Sequence, residues 1–202
     1  MKKLLSLCAL ALLTANMSAQ KNIVSFDSYL DLQTGISVGE NKYSTFGIGC
    51  NLGARLINKT LFLGGGASIA RDKYDIDHFG NGTFWNHYKY FNGRLYFPIH
   101  NSSFFVDCKL GNCEGYLQTK EIYNTQVDVI VAIYKDAKLK GPYYSFGAGI
   151  RMNLDEYSDV GLGLSYDHIK YDLKQDGDYI MYIGEMDNLC LRINYYFSLP
   201  KR

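Results

Sequence analysis

The sequence has no run of about eighteen consecutive apolar residues, so no single helix of it can cross a bilayer, and any membrane span must be made of strands. It also lacks a charge of one sign: 21 Lys and Arg face 20 Asp and Glu, interspersed along the chain, which excludes the basic stripe of a nucleic-acid binder. Proline is scarce, at 3 of 202 residues, and no linker or shift of composition marks a second domain. Cysteine is sparse and shows no metal-ligand spacing. What is abundant is tyrosine, at 18 residues, and glycine, at 20, a composition that suits closed sheets better than disordered linkers.

The N-terminus reads as a secretory signal. Lys2 and Lys3 form a positive region, Leu4 to Leu13 an apolar one, and Ser18-Ala19 a cleavage site before Gln20. Residues 1–19 are therefore expected to be removed, leaving 20–202 as one barrel domain. Of the cysteines that remain, Cys50 and Cys108 sit in the apolar phase of their segments and read as small buried hydrophobes, while a bridge between Cys113 and Cys190 stays open.

The stretch YSFGAGIRMNL, residues 144–154, carries the main signal. Tyr144, Phe146, Ala148, Ile150, Met152 and Leu154 alternate with Ser145, Gly147, Gly149, Arg151 and Asn153, the period of a strand with one apolar face. The pattern recurs at 46–56, 160–167 and 189–197, and more weakly at 30–38, 61–70, 91–99 and 104–111, giving eight strands. Short links, around Asn58 to Thr60, His100 to Ser103 and Asp155 to Asp159, follow the second, fourth and sixth strands. Long polar ones, roughly 71–86, 118–141 and 172–187, follow the third, fifth and seventh, the asymmetry of short periplasmic turns and longer extracellular loops.

The two faces differ in a way that fixes which is inside. Glycine on a wet strand face gains nothing and weakens the strand. Inside a narrow barrel, small residues make room for long charged ones. The expected lumen network is Asp31, Arg55, Arg94, Asp107, Lys109, Arg151, Asp167 and Arg192, with the apolar face toward lipid. Tyr43, Tyr88, Tyr90, Tyr143, Tyr144, Tyr166, Tyr195 and Phe197, near strand ends, are expected to form interfacial girdles.

On these residues the chain resembles the small eight-stranded outer-membrane barrels of Gram-negative bacteria, of the OmpA and OmpX type within the broader porin family. The resemblance covers nearly all of the mature chain. It rests on the signal segment, the Gly-x-Gly strands and the last strand, LCLRINYYF, whose Leu191, Ile193, Tyr195 and Phe197 resemble the signal read by the barrel assembly machinery. The tail from Ser198 to Arg202 departs from the usual aromatic end. The Ser18-Ala19-Gln20 region and the tyrosine-rich strands are similar to barrel proteins of the Bacteroidetes.

The resemblance implies an all-β, antiparallel up-and-down barrel in the outer membrane, in contact with its lipid, with no cofactor. The segment TQVDVIVAIY, 125–134, is open to three readings: a hairpin protruding above the membrane, a loop packed on its own barrel, or a further span making ten strands.

Chemistry is weakly signalled. His168 has Ser165 three residues away, but Asp167 points to the opposite face and cannot readily orient it. His78 and His87 lie near Asp72, Asp75 and Asp77 with no standard metal spacing. The expected function is a structural and surface-interaction role without catalysis. Loops 71–86, 118–141 and 172–187 would present the surface to an extracellular protein or other ligand, with no nucleic-acid partner. A secreted lipocalin-like barrel holding an apolar ligand and an outer-membrane lipid-modifying enzyme are the alternatives.

Overall fold

A computed structural model of the chain describes residues 24–38, 43–57, 59–76, 80–118, 122–124, 129–132, 137–155, 158–171 and 185–197. The signal segment and the tail after Phe197 lie outside them. Ten strands form: β1 (Ser25–Ser37), β2 (Tyr43–Leu56), β3 (Leu61–Ile76), β4 (Gly80–Ile99), β5 (Ser102–Gln118), β6 (Ile122–Asn124), β7 (Val129–Ala132), β8 (Ala137–Asn153), β9 (Ser158–Lys170) and β10 (Glu185–Phe197). Eight of them close into an antiparallel barrel in the order β1-β10-β9-β8-β5-β4-β3-β2, so the main sheet has no free edge. β6 and β7 pair only with each other. The barrel thus has eight strands rather than ten, and the described part of 125–134 belongs to a separate small hairpin.

The register sets the barrel's dimensions. Stepping between partners around the wall from Asp187, through His168, Tyr144, Leu110, Phe91, Gly65, Leu52 and Ser28, returns to β10 at Phe197, ten residues further along. That stagger over eight strands tilts each of them roughly 40° from the barrel axis. One end is closed by tight turns. Thr60 donates its N–H to the Ile57 carbonyl at 3.0 Å, and Ser158 donates its N–H to Asp155 Oδ1 at 2.7 Å.

The other end differs from the expectation of a long second loop. β3 runs to Ile76 and β4 starts at Gly80, so most of 71–86 is a tall hairpin with alternating faces. Its polar outward residues hid the strand, because alternation of apolar with polar stops where a strand leaves lipid and is wet on the outside.

Glycines make the narrow bore feasible. A Cβ on Gly53 or Gly64 would lie 2.7 Å from Phe62 Cζ, and one on Gly149 2.6 Å from Phe105 Cζ. The tip of each ring therefore rests where a Cβ would otherwise stand, and the interior is filled by side chains.

Candidate functional site: a charged lumen within an apolar wall

Successive side chains of each strand point alternately into the bore and away from it. The inward set is polar: Asp31, Arg94, Asp107, Lys109, Arg151, Asp167 and Arg192 are all buried, and Arg55 is half-buried. The outward set is apolar and open, with Phe46 63 % and Leu164 57 % exposed. Burying these ionic groups while exposing a belt of Leu, Ile and Phe is the reverse of what water favours. Lipid reverses the sign of both terms, so the barrel is built to span a membrane.

The lumen charges form chains across the bore. At the end of the tight turns, Asp27 Oδ2 accepts Arg55 Nε at 2.7 Å and Arg151 Nη1 at 2.9 Å, while Arg151 Nη2 lies 2.5 Å from Asp159 Oδ2. One layer further in, Arg94 Nη2 donates to Asp107 Oδ2 at 2.8 Å, and its Nη1 donates to Asn194 Oδ1 at 3.1 Å and to the Tyr196 hydroxyl. The same guanidinium stacks 4.0 Å from the Phe105 ring centre and 4.5 Å from that of Tyr29. Above it Lys109 Nζ meets Asp31 Oδ2 at 2.5 Å, and Asn194 Nδ2 caps the other oxygen at 2.9 Å. Arg192 Nη2 grips both oxygens of Asp167 at 2.7 and 3.0 Å, and donates to Ser145 Oγ at 2.9 Å.

All eight residues expected in the lumen meet in this network, which also contains Asp27 and Asp159. Sequence reasoning missed those two because it began the first strand at Leu30 and placed Asp159 in a turn. The phase was there to be read: Asp27, Tyr29 and Asp31 alternate with Phe26, Ser28 and Leu30. Five cations and five carboxylates balance, and pairing is what makes their burial tolerable.

The upper lumen, away from the tight turns, has different chemistry. Tyr43, Phe84, Tyr88, Tyr90, Cys113, Leu139, Tyr143, Ile169, Tyr171 and Met186 cluster there. One carboxylate, Asp72, is fully buried among them, bonded by Asn86 Nδ2, whose own Oδ1 accepts Tyr171 OH at 2.6 Å. Asp72 and His87, near in sequence but without metal-ligand spacing, face opposite sides of the wall, and no metal-ligand cluster occurs among the described residues. His78 and Asp77 lie outside the described residues.

Several other expectations are corrected. Tyr43, Tyr88, Tyr90 and Tyr143 fill the lumen, so only Tyr144, Tyr166, Tyr195 and Phe197 of the expected girdle residues face outward. Cys50 and Cys108 lie on the outer wall, exposed and half-buried, because the apolar phase of this barrel is its exterior. Cys113 and Cys190 are free thiols with β8 and β9 between their strands, farther apart at roughly 4.8 Å per strand than the ~7 Å limit for a disulfide. Asp167 does not orient His168, but Asp187 on the neighbouring strand does, with its Oδ1 2.8 Å from His168 Nδ1. Ser165 points into the lumen while His168 points out, so the two form no catalytic pair. Leu191, Ile193, Tyr195 and Phe197 line the outer face of β10.

No protein-family model and no curated protein sequence matches the chain. Solved structures do. Neisserial surface protein A superposes with a TM-score of 0.62 at 10% identity, over 87% of this chain and 99% of that one. The outer membrane protein OprG from Pseudomonas aeruginosa gives 0.51 at 9% identity, over 90% and 98%. At such identities the likeness is one of fold. The fold class is therefore set: a closed, eight-stranded, antiparallel barrel of the small outer-membrane type, charged within and apolar without.

Proposed function

We propose that this protein is an outer-membrane anchor with a structural and surface-interaction role, whose barrel is a rigid, closed support and whose function lies at its outer end. The observation that carries the reading is the pairing of a filled lumen with an uneven rim. The salt-bridged layers at Asp27, Arg94 and Arg192 and the aromatic cluster above them cross the bore one after another, against a diffusion path. β3, β4, β5 and β8 meanwhile rise past the polar belt that tops the apolar wall. β4 extends six residues above Asn86, roughly 15 Å. Segments 71–86, 118–141 and 172–187 are then the surface offered to an extracellular protein or other ligand, and no step requires catalysis. Biogenesis would use the outward apolar and aromatic face of β10 as its assembly signal.

The test is accessibility in whole cells. Single cysteines are placed at Asp77, Ile150 and Arg151 in a cysteine-free background and treated with a membrane-impermeant thiol reagent. Labelling at Asp77 alone is expected. A soluble chain with Arg151 labelled and Ile150 shielded would invert the faces and turn the search to an apolar ligand inside. Vesicles carrying the barrel are expected to exclude small sugars, and swelling in arabinose would contradict the closed lumen.

A further inference from the structure

Among the described residues, most of the outward charge on the strands lies in a belt at the upper edge of the apolar wall, and much of it is neutralised within the wall. Lys140 Nζ meets Glu114 Oε1 at 3.2 Å, Lys170 Nζ meets Glu185 Oε1 at 3.0 Å, and His168 meets Asp187 at 2.8 Å. These pairs occupy β5, β8, β9 and β10. The outward cations of β3 and β4 are different: Arg71, Lys73 and Lys89 are exposed, and none has a carboxylate within 4.0 Å among the described residues. Arg71 is instead held by neutral groups, its guanidinium 5.9 Å from the Trp85 ring centre and its Nη2 3.4 Å from Thr83 Oγ1.

The depth of Lys89 is the sharper anomaly. Corrected for strand tilt, Arg71, Glu114, His168 and Asp187 stand at nearly one height, and Lys89 lies about 7 Å below it, toward the bilayer centre. The outward residues at its depth are Ile69, Leu110, Tyr144 and Tyr166. A cation on a lipid-facing wall is costly unless it snorkels or finds an anion. Here the anion must come from the surroundings. Lys89 is in register with Ala67, four residues below Arg71 on β3, so the two Cα atoms are roughly 14 Å apart. Two phosphates on one headgroup fit that spread, the deeper one facing Lys89 and the upper one facing Arg71.

We propose that the outer wall of β3 and β4 holds a lipid of the outward leaflet whose headgroup carries more than one phosphate. Lys89 takes the deeper phosphate, Arg71 and Lys73 take the upper one, and Trp85 packs beside the headgroup. Short side chains below, at Ala67 and Gly65, leave acyl chains room against the wall. The proposal rests on the lipid-facing reading of the apolar wall and adds a specific ligand to it.

The experiment uses the full chain folded in zwitterionic detergent, with native mass spectrometry reading the lipid retained per barrel. The probes are diphosphorylated lipid A, its monophosphorylated form, and phosphatidylcholine. One diphosphorylated lipid per barrel is expected, with weaker retention of the monophosphorylated form and none of phosphatidylcholine above background. Each of Arg71→Gln and Lys89→Gln should weaken retention about fivefold, and the double variant about thirtyfold. Lys140→Gln, in the self-paired part of the belt, should leave it unchanged.

An equal loss from Lys140→Gln would reduce the effect to bulk charge and overturn the site. Displacement by millimolar inorganic phosphate would overturn the lipid in favour of a soluble ion. Heat-modifiable electrophoresis confirms that each variant is a closed barrel. A chain that stays soluble without detergent would fail the membrane reading itself, an outcome distinct from a barrel that folds in micelles and retains no lipid.

Discussion

The lower and upper halves of the lumen are filled by opposite strategies. Below, at the depth of the apolar wall, five cations and five carboxylates are locked in pairs, with Arg94 and Arg151 layered on aromatic rings. Above, near the level of the polar belt, tyrosines and aliphatic groups pack like a soluble core around a single carboxylate. The difference follows from what each half must oppose. A bore surrounded by lipid has no water to stabilise a lone charge, so its charged groups are paired with one another. The upper half is where the barrel meets solvent, and an apolar plug there keeps water from the ionic layers beneath it.

The contrast predicts a rank order of damage. The largest effect belongs to Arg94→Met, which keeps volume but removes the hydrogen bond to Asp107 Oδ2 and leaves Asn194 Oδ1 with only the Tyr196 hydroxyl as donor among the described residues. Breaking a buried pair from one side costs about 3–5 kcal/mol. Urea titration of the folded, fast-migrating band in micelles should show the midpoint falling furthest for this variant. Restoring neutrality with Arg94→Met and Asp107→Leu together should recover much of the loss, since replacing both partners of a buried pair is far less costly than removing one. If the double variant is no better than the single, the charges act independently and the lower half is not a network.

Second in size is Met186→Ala in the upper cluster. Met186 is 1 % exposed, and truncating a buried residue of this kind typically costs about 2–5 kcal/mol, depending on how far the site can relax. Met is unbranched and its neighbours in the cluster are aromatic and aliphatic side chains held by no ion pair among the described residues, so the lower end of that range is expected. The same titration reads it. A loss equal to that of Arg94→Met would erase the distinction between the halves.

Gly111→Val tests the bore between them. A Cβ there would run into Lys89 O and lie 2.6 Å from Tyr90 Cα, both backbone atoms that cannot swing aside. Overpacking of this kind costs about 1–3 kcal/mol. Gly93→Val, on the outer wall with only Leu63 Cδ2 within 3.8 Å, should cost little, and matched losses at the two glycines would mean that the bore is not tightly filled.

Much of this architecture was legible because a spanning strand is written in period two. Arg151 between Ile150 and Met152, or Arg192 between Leu191 and Ile193, can face only one way once the apolar side is assigned to lipid. Legibility ended where that contrast ended. Arg71, Asp72 and Lys73 look like a polar loop, yet they are strand, because outside the bilayer the outward face is as polar as the inward one. Tyrosine was ambiguous for a related reason: Tyr143 and Tyr144 are adjacent, one inside and one out, and the type of residue alone does not say which. The His168–Asp187 contact joins residues on separate strands, so only the register reveals it.

The smallest expected effect is the most discriminating. Asp72 is as buried as Asp167, but no cation lies within 4.0 Å of it among the described residues, and its Oδ1 has no hydrogen-bond partner there. A carboxylate so placed gains little from its charge and bears the full cost of desolvation. Asp72→Asn keeps the shape and an acceptor for Asn86, so stability should stay within about 1 kcal/mol of the parent or rise. Asp167→Asn removes the charge that Arg192 grips with two hydrogen bonds, and should cost several times more. Urea midpoints of the two variants, measured side by side, decide the matter. If Asp72→Asn is as damaging as Asp167→Asn, then the Asp72 charge is stabilised as the lower carboxylates are, and the distinction between the two halves of the lumen fails.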